Sequence, residues 1–506
     1  MTKQFKNYSE LSAEEKLQIT TLAQLKASGY QPKSVKQELR DNLIHCLQNK
    51  INPFPSIWGY EDTVIPELER AILSMHNINL LGLRGQAKTR IARLMTHLLD
   101  EYIPVVEGAE LNDDPLQPLS WSAKQIVDEK GDDTPISWWH RDERYTEKLA
   151  TPDVTVADLI GDIDPIKAAS MQLSYDDERV IHYGLVPRSH RSIFVINELP
   201  DLQARIQVAL FNILQEGDIQ IRGFKIRLPL DIQFVFTANP EDYTNRGSIV
   251  TPLKDRIESQ IITHYPHSIE IGKKITEQEA QVKPAQKENI KISPLAQDLI
   301  EQIAFEARHS EYVDEKSGVS ARLTISAYEN LYSSAERRML INGESSTHIR
   351  LSDFVGTIPA ITGKIELVYE GEQEGADAVA QNLFGKAIRT MFTQYFPSPE
   401  DVRKAEQNPY REIIQWFGKG NTLDLLNDLS DKEFKKSLNN IPSLKDTVTS
   451  HHKNVNSDLE FFMEFILHGL SEYSQLSKKT LISKTQFSDL LSGMLNFEAP
   501  DEDDFQ

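Results

Sequence analysis

Eight consecutive residues have the types and spacing of a loop that binds phosphate groups. The run follows an apolar stretch and precedes a predicted helix from Thr89 to Leu99. In a Walker A loop, backbone N–H groups and a helix start surround the phosphates, a lysine neutralises their charge and a threonine hydroxyl binds Mg²⁺. The eight residues are Gly82, Leu83, Arg84, Gly85, Gln86, Ala87, Lys88 and Thr89. They predict a site for a nucleoside triphosphate with Mg²⁺.

One position of this loop departs from the pattern, because Ala87 stands where glycine is usual. A methyl group is tolerated there if the backbone is already close to helical. Gly82 and Gly85 preserve the tight turn, so the prediction of nucleotide binding is retained.

A second apolar run, Ser192 to Ile196, predicts a buried strand that ends in the polar pair Asn197 and Glu198. P-loop ATPases place two acidic residues at this point. Asn197 can hydrogen-bond water on Mg²⁺ but adds no negative charge, which predicts a weaker affinity for the metal. We predict that Glu198 orients the attacking water.

Three further polar residues are of types that can contact a nucleotide's phosphates or the attacking water. Asn239 comes directly after the predicted strand Ile232 to Ala238, where its amide can hold the lytic water or the γ-phosphate. Arg256 and Arg322 are predicted to reach phosphates, from a neighbouring subunit and from a lid respectively. Arginine suits this role because its side chain does not lose its charge.

The elements that must position these residues alternate between short apolar runs and helical periods. This alternation predicts an α/β fold with a parallel sheet covered by helices, followed by a helical lid and a C-terminal helical region. Two helices are predicted before the sheet, about Ala13 to Ala27 and Val35 to Lys50. The predicted domains are 1–55, a helical segment; 56–266, the nucleotide-binding domain with an acidic insertion at about 107–150; 290–365, the lid, with a clear helix from Arg322 to Ile341; and 366–506, a helical region with an acidic tail.

Composition narrows the classes of function. The chain has 55 Lys and Arg against 76 Asp and Glu, and this net charge of −21 disfavours a general nucleic-acid binder. The longest apolar runs are shorter than the roughly 20 residues needed to cross a bilayer. A single cysteine, Cys46, cannot form an internal disulfide, and the first residues lack a signal-peptide pattern. We therefore predict a cytoplasmic protein with no membrane partner.

Together, the motifs resemble those of the AAA+ ATPases in the clade that contains the magnesium-chelatase ATPase subunit and the MoxR proteins. The resemblance covers roughly Ile57 to Ile365. It is carried by Gly59-Tyr60-Glu61, the loop through Thr89, Gly184-Leu185-Val186-Pro187-Arg188, His190-Arg191 and Asn197-Glu198. Two further features fit the clade: an insertion at about Val154 to Leu185, and a hairpin from Asp218 to Leu228 with Gly223 at its turn.

The resemblance implies ATP as the nucleotide, with Mg²⁺ bound by Thr89 and Asn197. Asn239 would be the sensor-1 residue, Arg256 the arginine finger and Arg322 the sensor-2 arginine. Because an arginine finger acts on the nucleotide of an adjacent subunit, the resemblance implies a homo-oligomeric ring, most often of six subunits. No Asp-x-Ser-x-Ser motif is found, so a von Willebrand A type partner would be a separate protein.

Three functions remain open from the sequence. The first is an ATP-driven motor that remodels or matures a protein client. The second is the motor subunit of a magnesium chelatase that inserts Mg²⁺ into protoporphyrin, because the two share the same core motifs. The third is a weakly hydrolysing, nucleotide-binding scaffold, which Ala87 and Asn197 favour.

Overall fold

The computed structural model divides the chain into two compact units, residues 1–264 and 265–506. It describes residues 8, 11–174, 177–216, 218–219, 228–240, 248–403, 408–452, 458–480 and 484–490. Among these residues, no helix combines the length and the apolar character that a bilayer crossing requires.

A five-stranded parallel sheet forms the centre of the first unit, which confirms the predicted α/β fold. Its strands are β1 (Ile78–Leu81), β2 (Tyr145–Leu149), β3 (Ser192–Asn197), β4 (Ile232–Ala238) and β5 (Ser259–Ile262). They lie in the order β5-β1-β4-β3-β2, and every neighbouring pair is parallel. The carboxyl ends of β1, β4 and β3 are therefore adjacent at one edge of the sheet, where α/β proteins bind ligands.

The sheet is buried on both faces, which explains why its inner strands read as apolar runs rather than as alternating patterns. In β3, Ile193 and Val195 belong to one hydrophobic core, whereas Phe194 and Ile196 belong to the other. The remaining elements of the sheet domain surround these cores. They comprise helices Val64–Leu73, Lys88–Leu94, Trp121–Lys130, Val156–Leu159, Pro165–Met171, Leu185–Arg188, Ala204–Ala209, Phe211–Glu216 and Thr251–Lys254; 3₁₀ turns Met95–Leu98, Gly131–Asp133, Arg141–Glu143, Glu178–Val180 and Leu199–Asp201; and strand pairs Tyr102–Val106 with Ile136–His140, Gly161–Ile163 with Ile181–Tyr183, and Asp218–Ile219 with Leu228–Pro229.

The acidic stretch at 107–150 was predicted to be an insertion, but its final residues form strand β2 of the central sheet. The prediction failed because β2 reads Tyr-Thr-Glu-Lys-Leu, a polar edge strand without an apolar run. The predicted insertion at Val154 to Leu185 contains a two-stranded antiparallel ladder. The arms of the predicted hairpin pair at Asp218–Ile219 and Leu228–Pro229, whereas residues 220–227, with the turn at Gly223, lie outside the described residues.

The N-terminal segment packs on the sheet domain and shares its core. The predicted helix Ala13 to Ala27 is two helices, Ala13–Leu17 and Leu22–Ala27, because Thr21 caps the second one by accepting a hydrogen bond from the Gln24 N–H. The third helix, Val35–Asn49, contributes Glu38, which forms a buried bidentate ion pair with Arg144 at 2.6 Å. The segment at 1–55 is therefore built into the first unit.

A single hydrophobic core, from Ile290 to Phe487, spans the predicted lid and the C-terminal region of the second unit. The predicted helix Arg322–Ile341 is confirmed. The C-terminal region is not entirely helical, because it holds an antiparallel sheet of three strands. The elements are helices Ile269–Glu279, Pro284–Asn289, Pro294–Arg308, Arg322–Ile341, Ile358–Thr362, Tyr369–Glu374, Ala376–Tyr395, Pro399–Val402, Arg411–Gly418, Asp431–Asn439, Leu444–His451 and Leu459–Glu472; the 3₁₀ segment Leu351–Thr357; and strands Ile290–Lys291, Thr347–His348, Leu423–Leu426, Ser477–Thr480 and Lys484–Ser488.

One buried carboxyl makes the stability of the second unit depend on pH. Glu464 is fully buried, where its oxygens accept hydrogen bonds from the Leu351 and Ser352 N–H groups. Burial raises the pKa of Glu464 to about 7. The folded state then holds a proton that the unfolded state releases, so the free energy of unfolding falls as pH rises from about 4.5 to about 7, by on the order of 3 kcal/mol.

Urea denaturation at pH 5 and pH 8, followed by circular dichroism, measures this loss. In Glu464→Gln the group no longer titrates, so the difference in unfolding free energy between the two pH values is expected to shrink by that amount. Equal differences in the two proteins would contradict the assignment to Glu464.

Candidate nucleotide-binding site

The predicted phosphate loop, Asn197 and Asn239 meet at the carboxyl edge of the central sheet. The loop follows β1, Asn197 ends β3 and Asn239 follows β4. The Lys88 Nζ donates to the Asn239 Oδ1 at 3.0 Å, and the Thr89 hydroxyl donates to the Asn197 Oδ1 at 3.3 Å. The loop thus lies within hydrogen-bonding distance of both Asn197 and Asn239.

The base of the loop is tied to the residues that follow β5. A Cβ atom at Gly82 would lie 2.0 Å from the Thr263 Oγ1 and 2.2 Å from the Gln86 Oε1, so only glycine fits there. The Thr263 hydroxyl donates to the Gln86 Oε1 at 2.7 Å. The Tyr60 hydroxyl lies 3.0 Å from the Gln86 carbonyl oxygen and 2.7 Å from that of His264. These contacts fix the loop against the end of the sheet.

Ala87 does not have the helical backbone that the sequence argument assumed. Its φ of 57° and ψ of 16° place it in the left-handed region, immediately before helix Lys88–Leu94. A side chain in this conformation costs about 1–2 kcal/mol relative to the right-handed one. The alanine therefore adds strain where glycine would not. The helix is also shorter than predicted, since it continues from Met95 to Leu98 as a 3₁₀ turn.

The Lys88 side chain lies along its own loop. Besides contacting Asn239, its ammonium group donates hydrogen bonds to the Gly82 carbonyl and, at 2.8 Å, to the Leu83 carbonyl. The positive charge is thereby held at the loop, beside the amide of Asn239. A lysine at such a loop can reach the β- and γ-phosphates of a nucleotide.

Asn197 is held by polar partners on three sides. Its Oδ1 accepts from the Thr89 hydroxyl and, at 3.0 Å, from the Thr237 hydroxyl. Its Nδ2 donates to the Glu147 Oε1 at 2.7 Å. Sequence reasoning missed Glu147, because the residue lies in the polar strand β2 that was assigned to the insertion. The sequence offered one indication of its role, because Glu147 lies near the carboxyl end of a strand, where the other predicted site residues also lie.

Glu198 is half-buried at the point where the chain leaves β3. Its backbone has a φ of 56°, and its N–H donates to the Thr237 hydroxyl at 3.1 Å. Left-handed backbone in a residue other than glycine occurs often at functional sites. Thr237 thus supports both residues of the predicted polar pair, since it also contacts Asn197.

The two predicted arginines are not brought to the loop by the contacts that the structure records. The Arg256 guanidinium donates to the Gln215 Oε1 at 3.0 and 3.1 Å and to the Pro252 carbonyl at 2.7 Å, and it lies 5.1 Å from the Phe211 ring centroid. Arg322 is the first residue of its helix in the second unit, and its N–H donates to the Ser320 hydroxyl at 3.1 Å. Their predicted roles in catalysis remain predictions.

The donor atoms fit a magnesium ion that also binds phosphate. Mg²⁺ prefers oxygen ligands and usually keeps several waters besides a few protein groups and the substrate phosphates. The Thr89 hydroxyl and the Asn197 amide oxygen are two oxygens of the kind that Mg²⁺ prefers. Among the described residues, no group of three or more His, Cys, Asp or Glu side chains is arranged to hold a metal.

The chain is similar to several solved structures at low sequence identity. No family model matches the chain. Similar structures include a Cytophaga hutchinsonii protein assigned as an ATPase, at 16% identity and a TM-score of 0.29, with 69% of this chain and 95% of that chain covered. The complex of subunits BchI and BchD of magnesium chelatase aligns at 19% identity and a TM-score of 0.32, with 63% and 98% covered. Brucella abortus NtrX in complex with ATP aligns at 13% and 0.35, with 79% and 72% covered. Because these scores are low, the prediction of a nucleotide site depends on the strands and side chains described above and not on these similarities.

Proposed function

We propose that this chain, which resembles the AAA+ ATPases of the magnesium-chelatase and MoxR clade, is an ATP-hydrolysing ring motor. In this proposal it remodels or matures a protein client together with a separate partner protein. The observation that supports it most is the meeting of Lys88, Thr89, Asn197 and Asn239 at one edge of the sheet. A plain strand-turn-helix corner has no need for these four side chains in contact.

The chain's own residues divide the work of hydrolysis. The loop from Gly82 to Thr89 binds the phosphates. The Lys88 ammonium group moves from the Gly82 and Leu83 carbonyls to the phosphate oxygens. Glu198 accepts a proton from the attacking water and orients it, while Asn239 holds that water or the γ-phosphate. Thr89 and Asn197 would hold Mg²⁺, which would supply positive charge to the phosphoryl oxygens.

A ring is needed to complete the site in this proposal. Arg256 acts on the ATP of the adjacent subunit and Arg322 acts from the lid, so a monomer hydrolyses ATP poorly. Among the described residues, the recorded contacts of Arg256 are with a neutral amide, a carbonyl and an aromatic ring. A phosphate offers the guanidinium a stronger, charge-assisted partner, which favours its release toward a neighbouring subunit.

Mixing two inactive variants tests the shared site. Glu198→Gln lacks the water-orienting carboxylate, and Arg256→Ala lacks the finger. In a mixed ring some interfaces combine the intact Glu198 of one subunit with the intact Arg256 of another. Phosphate release is therefore expected to rise from near zero to roughly a quarter of the wild-type rate at a 1:1 ratio.

Each variant alone, at the same total concentration, provides the baseline for this mixture. A mixture of Arg256→Ala with Lys88→Ala is a second complementing pair, because it again separates the finger from the residues of the loop. If neither mixture gains activity at any ratio while light scattering shows that mixed rings form, Arg256 does not act across an interface.

The scaffold alternative is favoured by two observations, the strained Ala87 and the missing charge at Asn197. Both concern groups that contact nucleotide, and both would slow hydrolysis more than binding. Wild-type protein that binds ATP but releases no phosphate at any protein concentration would support the scaffold over the motor.

A further inference from the structure

We propose that Glu147 of β2 is a positioning residue of the magnesium site. In this role it supplies the negative charge that Asn197 lacks and turns the Asn197 amide so that its oxygen faces Thr89. The inference rests on the proposed function, since it concerns the cation that accompanies ATP. It starts from the 2.7 Å hydrogen bond between the Asn197 Nδ2 and the Glu147 Oε1.

The carboxylate of Glu147 determines which way the amide points. An ionised carboxylate only accepts hydrogen bonds, so the atom of Asn197 that faces it must be the amide nitrogen. The oxygen is then directed to the opposite side, where the hydroxyls of Thr89 and Thr237 donate to it. Without Glu147, the amide could turn by half a rotation and present its nitrogen, a poor ligand for Mg²⁺, to the Thr89 side.

The same hydrogen bond makes the oxygen that faces the cation site more negative. A hydrogen bond to an ionised acceptor is shorter and stronger than a neutral one, and it polarises the amide so that its oxygen becomes more negative. Asn197 is buried, whereas 29% of the Glu147 side chain is exposed. The Glu147 carboxylate, which accepts a hydrogen bond from the Asn197 amide, therefore replaces part of the negative charge that an aspartate at position 197 would supply.

The second oxygen of Glu147 is held from the other side. The Tyr145 hydroxyl and the Arg93 guanidinium each donate to the Glu147 Oε2 at 3.0 Å. Arg93 offsets some of the charge, but its side chain is 66% exposed and solvent screens it. Tyr145 and Glu147 are two residues apart on β2 and point to the same face. The carboxylate is thus fixed, with Oε1 left for Asn197.

Moving the charge from one residue to the other tests the inference. Glu147→Gln keeps the shape and removes the charge, and Asn197→Asp returns the charge at the neighbouring position. We expect the affinity of the ATP complex for Mg²⁺ to fall about 10-fold in Glu147→Gln. In the double variant Glu147→Gln/Asn197→Asp we expect it to return to within about 3-fold of the wild type, because the pair again carries one negative charge.

The measurement is the Mg²⁺ dependence of the binding of a fluorescent ATP analogue, repeated with Mn²⁺ by electron paramagnetic resonance. Glu143→Gln is the matched control, since Glu143 is exposed, lies four residues earlier and has no recorded contact with Asn197. Binding of the analogue in EDTA is expected to be equal in all variants, and thermal denaturation checks their folding.

The outcomes separate the inference from the proposed function. If Glu147→Gln titrates with Mg²⁺ like the wild type, or if the double variant is weaker than Glu147→Gln, the inference is wrong while the ATPase proposal stands. If the wild type binds no nucleotide analogue with or without Mg²⁺, the proposed function fails, and the role of Glu147 fails with it.

Discussion

Lys88→Ala is expected to lower the affinity of the chain for ATP by at least about 100-fold. Lys88 is the cation that the Walker A pattern assigns to the phosphates, and a charge-assisted contact with phosphate is about twice as strong as a neutral hydrogen bond. The acceptors recorded for it among the described residues, the Gly82 and Leu83 carbonyls and the Asn239 amide oxygen, are neutral. The alanine variant removes the ammonium group that the proposal assigns to the β- and γ-phosphates. Isothermal titration with ATP and Mg²⁺ measures the change.

Lys124→Ala is the control for this experiment. Lys124 is exposed on helix Trp121–Lys130, so its removal changes the net charge by the same amount without touching the loop. We expect its ATP affinity to equal that of the wild type. Equal affinities of Lys88→Ala and the wild type would remove the assignment of residues 82–89 as a phosphate loop.

The second large effect is expected on turnover rather than on binding. Glu198→Gln should release phosphate at least about 100-fold more slowly than the wild type, since a positioned general base contributes a factor of about 10² to 10⁴. The amide keeps the size of the side chain and the hydrogen bond from the Glu198 N–H to Thr237. ATP should therefore stay bound and hold the subunits together. Phosphate release and light scattering with ATP report the two effects.

Glu129→Gln provides the comparison, because Glu129 is an exposed glutamate on the same unit whose carboxylate accepts a hydrogen bond from the Gln125 side chain. It should hydrolyse ATP at the wild-type rate. Normal turnover by Glu198→Gln would show that Glu198 is a structural residue at the strand end, and the search for the base would have to move to another carboxylate.

The parts of the fold that the sequence predicts best are those with a simple physical signature. Strands β3 and β4 are buried on both faces, so they stand out as continuous apolar runs, and helix Arg322–Ile341 repeats its apolar residues at helical spacing. Strand β2 and the three C-terminal strands are short and partly polar. Their pairing depends on contacts between residues far apart in the sequence, which local patterns do not reveal.

In the candidate site, too, local motifs were predicted from the sequence and contacts between distant residues were not. Lys88, Thr89 and Asn239 were identified because motif spacing reports the loop and the strand ends. The partner of Asn197 was not, because Glu147 lies 50 residues earlier and meets it only through the pairing of β2 with β3. The left-handed backbone of Ala87 was also missed. A residue type alone does not indicate which of two backbone regions the chain will take.

The ties between Gln86, Thr263 and Tyr60 have a mechanical consequence. Thr263 and His264 are the last two residues of the first unit, and both contact this cluster, Thr263 through Gln86 and His264 through the Tyr60 hydroxyl. The outgoing chain is thus anchored to the phosphate loop by side chains as well as by strand β5. A displacement of Thr263 and His264 would therefore strain the phosphate loop. A nucleotide that makes the loop more rigid would in turn restrict the motion of these two residues.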